Sequence, residues 1–268
     1  TDNINALDID ELSTIQISGL NATSLDNLTD TQVTELTATQ VGVLTATQLG
    51  SLSSTDVQSF TTTQLEALKS TQLKGLTTTA LGNFSTTQLG ALTTTQAQGL
   101  TTTQLNALDA GNLNALDITK FSTAQVAGLN ATAIDNLTDT QVTELTATQV
   151  GVLTATQRGA LSSTDVQAFT TTQLEALKST QLKGLTTTAL ENFSTTQLEA
   201  LTSTQAQGLT TTQLNALSAG ALNALDVDEL STAQVTGLNA TAIDNLTDTQ
   251  VTELTATQVG VLTATQLG

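Results

Sequence analysis

A large apolar residue recurs every eight residues along almost the whole chain. The series runs Leu12, Leu20, Leu28, Leu36, Leu44, Leu52, Phe60, Leu68 and onward to Leu116 without a break. It then slips. The next member is Phe121, five residues on, and the eight-residue step resumes as far as Leu225, where a second five-residue slip leads to Leu230. The same short step opens the chain, from Leu7 to Leu12. The pentads at 7–11, 116–120 and 225–229 lie 109 residues apart, so a super-repeat holds thirteen octads and one pentad. The segments are 1–11, the end of a preceding super-repeat; 12–120 and 121–229, two complete ones; and 230–268, part of a third. No linker or composition shift separates them, which predicts one continuous solenoid, and the mid-repeat ends predict an excerpt of something longer. Self-similarity at a fixed period is the signature of repeat architectures.

With the recurring Leu or Phe labelled a, positions b to e read S/T-x-x-Q, as in Phe60-Thr61-Thr62-Thr63-Gln64-Leu65. That is a capping box: the b hydroxyl accepts the N–H three residues on, and the e side chain reaches back to the N–H of b. Positions a and f fill the two places of a hydrophobic staple around it. One such box says little, but its recurrence in phase predicts a helix start in every octad. The helix cannot run on. Eight residues advance an α-helix by about 800°, roughly 80° past two turns, which would spread the Leu residues around its surface. The expectation is an all-α solenoid of very short helices, about five to seven residues each and one per octad, coiled into a superhelix. The alternative is a β-solenoid, because Thr and Val favour strands. Against it, L-T-x-T-Q-L does not alternate with period two, and glycine-rich corner signals are missing.

Two large apolar side chains per octad contribute roughly 4–6 kcal/mol on burial. Ordering eight residues costs on the order of 12 kcal/mol. Further burial is needed, between solenoid turns or between chains. If one super-repeat made one superhelical turn, residues 109 apart would stack along a filament axis; recent duplication would give the same identity without that geometry. Position a is always Leu or Phe, whereas f admits Ala97, Ala206 and Arg158. That tolerance places a in the core and f nearer its edge.

Charge and composition narrow the function classes. The chain carries 24 acidic residues against six Lys and Arg, a net charge of −18. Such a surface repels nucleic acid and anionic lipid. With five Phe as the only aromatics, it also lacks stacking platforms for bases. No apolar run is long enough to insert in a membrane. The absence of Cys and His rules out disulfides, thiolate metal sites and an activated Ser or Thr nucleophile. A repeated unit also argues against a singular active site, so no enzyme and no cofactor are expected.

The candidate ion sites are acidic clusters in the pentads: Asp8, Asp10 and Glu11, and again Asp226, Asp228 and Glu229. Oxygen-rich groups of this kind suit Ca²⁺; the opposing reading is a solvated acidic surface. The middle pentad departs from the pattern, keeping Asp117 but placing Lys120 where the others have Glu. A second acidic set, Asp26, Asp30 and Glu35, recurs as Asp135, Asp139 and Glu144 and as Asp244, Asp248 and Glu253. Four of the six cations form two copies of one group, Lys69 and Lys74 beside Glu66, and Lys178 and Lys183 beside Glu175. Glu66 and Lys74 occupy position g of neighbouring octads, where they can pair, or can meet an acidic patch on another chain. Thr at b and d forms a T-x-T surface, which suits either helix capping or an ordered ice-binding array.

The run at 36–49, L-T-A-T-Q-V-G-V-L-T-A-T-Q-L, resembles the repeats of giant, secreted, acidic bacterial surface proteins of adhesin-like type. The resemblance implies an extracellular protein in surface filaments, attachment or biofilm matrix, and carries over no binding residues. The expected function is that of a structural, non-catalytic repeat protein that self-associates into a filament or forms an adhesin-like stalk. The alternative is a repetitive binding surface, for ice or for Ca²⁺-dependent attachment.

Overall fold

The structure is a computed structural model that describes residues 4–268, so the first three residues of the opening segment lie outside it. The described residues form thirty α-helices and two 3₁₀ helices, and among them no strand occurs. The α-helices are four to six residues long, slightly shorter than the capping argument alone predicts. The chain divides into two compact units, Thr1–Leu137 and Thr138–Gly268, and each is an all-α solenoid in its own right. The β-solenoid alternative is thereby set aside.

Each helix starts at position b as the capping box requires. At Thr61, the side chain accepts from the Gln64 N–H at 3.3 Å, and the Thr61 N–H donates to Gln64 Oε1 at 2.7 Å. Each helix stops without help from glycine. The a residue turns extended, as at Leu68 with φ −63° and ψ 127°, and its N–H bonds the f carbonyl of Leu65 at 3.1 Å. No non-glycine residue among those described adopts a positive φ.

Turns of the solenoid are set by which helices touch. In the first unit Ala38–Val41 packs on Thr62–Ala67, and Ser70–Gly75 on Thr94–Gly99; in the second, Asp139–Glu144 packs on Ser163–Ala168. Each pair is three octads apart. Three to four octads therefore close one turn, about 28 residues, far fewer than the 109 that a turn of one super-repeat would take. The super-repeat is a sequence period laid over several such turns. The pentad is an octad shortened by three residues: Ile118–Lys120 and Val227–Glu229 are 3₁₀ turns, and their buried Ile118 and Val227 take the core place of an f residue.

The core is built from a and f together. Leu65, Leu73, Leu81 and Leu105 at f are as fully buried as Leu36, Leu68 and Leu92 at a. Position f is therefore not the edge of the core. Its small members, Ala97 and Ala206, are buried as well. Close stacking is visible where small residues meet. A Cβ on Gly99 would lie 2.5 Å from Ser70 Cβ one turn away, so glycine there is dictated by approach.

Candidate interaction surface

The polar position of the octad serves two helices. Gln at e is almost fully buried, as at Gln64 with 2 % of its surface exposed. Its Oε1 closes the capping box of its own helix. Its Nε2 donates to the Val33 carbonyl at 2.8 Å and the Leu36 carbonyl at 2.7 Å, 31 and 28 residues earlier. Those are the terminal carbonyls of a helix on the adjacent turn. One side chain thus satisfies the start of one helix and the end of another, groups that very short helices otherwise leave unpaired. The pattern repeats at Gln96, Gln104, Gln173 and Gln205 with the same offsets. After a pentad both offsets fall by three, as the shortened unit demands: Gln125 reaches Ala97 and Leu100, 28 and 25 residues back. Position g adds bonds in the other direction. Asn106 donates to the Gly128 carbonyl at 2.9 Å and accepts the Asn130 N–H at 2.8 Å, and Asn215 does the same with Gly237 and Asn239.

Two kinds of residue break this order. Asp56 and Asp165 stand at e, each 4 % exposed. They complete the capping box, with the Ser53 N–H donating to Asp56 Oδ2 at 3.0 Å, but a carboxylate has no proton to donate across the turn. Arg158 stands at f, 6 % exposed. Its Nη1 donates to the Leu153 carbonyl and its Nη2 to the Gln181 carbonyl at 3.1 Å, while its Nε has no partner. Burial pulls its pKa below the usual arginine value, because the core solvates the charge poorly.

The acidic candidates are scattered over the surface. Asp8, Asp10, Glu11, Asp226 and Asp228 are exposed and Glu229 is half-buried. Glu229 accepts from Ser203 Oγ at 2.7 Å. Among the described residues, no three acidic side chains come together as a group able to hold a metal ion. In the middle pentad, Lys120 lies 3.5 Å from Asp117 and donates to the Leu92 carbonyl at 2.8 Å. Asp117 is held below the usual carboxylate range, first by the Thr119 hydroxyl and then by the Thr119 N–H and Lys120.

The lysine groups differ from this. Lys69, Lys74, Lys178 and Lys183 are exposed and make no ion pair among the described residues. The expected pairing of Glu66 with Lys74 does not form. Lys69 also occupies a b position, where it has no oxygen for the cap, and only the Gln72 half of the box remains. Beside each group opens a shallow groove. The first, of about 540 Å³, is bordered by Lys74, Thr71, Gln98 and Thr101; the second, of about 400 Å³, by Lys183, Thr180, Gln207 and Thr210. The Thr residues at d, such as Thr39, Thr47, Thr63 and Thr71, are exposed to solvent.

Short helices repeating on an octad, stacked turn on turn, define a tandem-repeat protein of solenoid class. A family model described as the ALTTAQ repeat matches residues 65–102. That span includes Ala91-Leu92-Thr93-Thr94-Thr95-Gln96, the h-to-e stretch of the octad. No curated protein matches the chain. No helix among the described residues is long and apolar enough to cross a membrane.

Proposed function

We propose that the chain is a non-catalytic structural element that works outside the cell as a filament or stalk. The observation that carries this reading is the glutamine ladder. Each Gln joins one turn to the next by the same bonds, so a unit contacts only its neighbours and length is added without a new core. Such a device suits a molecule whose task is reach. The resemblance to secreted surface repeats supports an extracellular place. Electron microscopy of the purified chain tests the reading: uniform rods or fibres without added ligand are expected, and flexible, featureless monomers at every concentration contradict it.

A binding role is favoured by one observation, the row of solvent-exposed Thr at d. Measured thermal hysteresis decides it. Activity at micromolar protein supports an ice-binding face, and none at any concentration removes that reading.

A further inference from the structure

We propose that the chain associates side by side with a second copy of itself, the lysine-bearing helix of one copy docking on an acid-bearing helix of the next. The inference rests on the filament reading and names the surface that would build it.

Charge distribution supports this pairing. In a chain of net charge −18, four of six cations are concentrated in two equivalent places, and none of the four is ion-paired among the described residues. Lys69 precedes and Lys74 stands in the last turn of the helix Ser70–Gly75, which packs between Ala46–Ser51 and Thr94–Gly99. Neither neighbouring helix carries a charged residue. The positive charge of Lys69 and Lys74 is therefore not neutralised from the turns above and below.

The acid-bearing helices carry their charges at the same sequence spacing as the lysines. Lys69 and Lys74 are five residues apart on one short helical unit. Asp30 and Glu35 are also five apart on one unit, the helix Asp30–Glu35, and both are exposed. The match recurs with Lys178 and Lys183 against Asp139 and Glu144, and against Asp248 and Glu253. Residues five apart on a helix stand about 140° apart around its axis, so each such unit presents one charge at a time to a facing helix.

Placement on the solenoid makes the contact repeatable. Within the first unit, the helices Asp30–Glu35 and Ser70–Gly75 are five octads apart. With three to four octads per turn, they differ by one full turn plus roughly a quarter to two-thirds of another, so they face different sides. A molecule with complementary patches on different sides makes heterologous contacts, which grow into open arrays wherever the rotation between copies does not close a ring. The groove beside Lys74 offers an incoming carboxylate the Thr71 hydroxyl as well as the ammonium, the Thr101 hydroxyl being engaged with Gln104.

The test uses the full chain and two charge variants. One carries Lys69→Glu, Lys74→Glu, Lys178→Glu and Lys183→Glu. The other carries Asp30→Lys, Glu35→Lys, Asp139→Lys, Glu144→Lys, Asp248→Lys and Glu253→Lys. Circular dichroism checks that both keep the helical fold. Sedimentation at about 0.1 M salt, where the screening length is about 10 Å, reads association. The natural chain is expected to associate and to dissociate near 1 M salt, where that length is about 3 Å. Each variant alone is expected to associate at least about tenfold more weakly, and an equimolar mixture to recover the loss. If the Lys→Glu variant assembles as well as the natural chain, this surface is wrong while the filament reading stands. If the mixture fails to recover association, the pairing is wrong. If the natural chain does not assemble in any salt, the pairing and the filament form of the proposed function fall together, while a monomeric stalk stands.

Discussion

Residues 44–52 and 153–161 are the same octad in two copies, and their differences show what holds a turn in place. The first reads L-T-A-T-Q-L-G-S-L and the second L-T-A-T-Q-R-G-A-L. Around Leu49 the turns are closed. Gln72 donates to the Val41 and Leu44 carbonyls at 3.0 and 2.6 Å, the Leu52 N–H caps the helix on Leu49, and Ser51 Oγ bonds the Ala22 carbonyl at 3.2 Å. A Cβ on Gly75 would meet Ala46 Cβ at 2.6 Å. Around Arg158 the arrangement is altered. Gln181 keeps the bond to the Leu153 carbonyl, at 3.0 Å, but reaches Gly151 at 3.1 Å in place of Val150, and becomes half-buried. The helix ends without the Leu161 bond, and a Cβ on Gly184 would no longer meet the neighbouring Ala155. Leu185 and Ala189 are half-exposed where Leu76 and Ala80 are buried. A single guanidinium at f thus wedges adjacent turns apart, and the packing at f and the glutamine ladder respond as one system.

Opening the tighter copy should have the largest effect. Leu49→Arg is expected to cost about 1–4 kcal/mol, the reverse of replacing a buried, hydrogen-bonded charge by an apolar side chain. It should also raise hydrogen-exchange rates across residues 68–76. The reverse change, Arg158→Leu, is expected to stabilise by about 1–4 kcal/mol and to protect residues 177–185. A calorimetric midpoint that falls for Arg158→Leu would mean that the two guanidinium bonds outweigh the burial cost.

Asp56→Gln restores a donor where the ladder lacks one. The gain expected in urea denaturation is about 1 kcal/mol, since a net hydrogen bond contributes that much. The smallest effect belongs to Asp117. Its carboxyl is held below its ordinary value, so its contribution is present above the unfolded pKa of about 3.8 and is lost as pH falls through the lower folded value. Asp117→Asn should therefore cost a little stability at neutral pH, a small loss because the pair is largely solvent-exposed, and the difference should vanish as the pH falls below about 4.

Much of this fold is legible in the octad. Thr61 and Gln64 announce a helix start, Leu68 announces its end, and the non-alternating pattern points away from strands. What stays hidden lies across the turn. The capping signature uses only Oε1 of Gln64, and nothing in local spacing reports that Nε2 meets carbonyls 28 and 31 residues away. The presence of Ala97 and Arg158 at f suggests an edge, yet both are buried, because a neighbouring turn closes over small residues and yields to a large one. The pentad suggests a turn marker but is a shortened unit, a difference visible only once the offsets of Gln125 are known. For the interaction surface, sequence reading locates the lysine groups but leaves open the pairing of Lys74 with Glu66, which does not form in the structure.

Each glutamine joins two turns as well as capping its own helix, and Gln64→Glu separates these roles. Glutamate serves the capping box as well as glutamine does, but it cannot donate to the Val33 and Leu36 carbonyls. Urea denaturation of the full chain at neutral pH should show a loss of about 2–4 kcal/mol, from two missing bonds and a buried charge facing carbonyls. The loss should shrink as the pH is lowered and the new carboxyl takes up a proton it can donate. A variant as stable as the natural chain at neutral pH would contradict the double role, leaving Gln64 a local cap and nothing more.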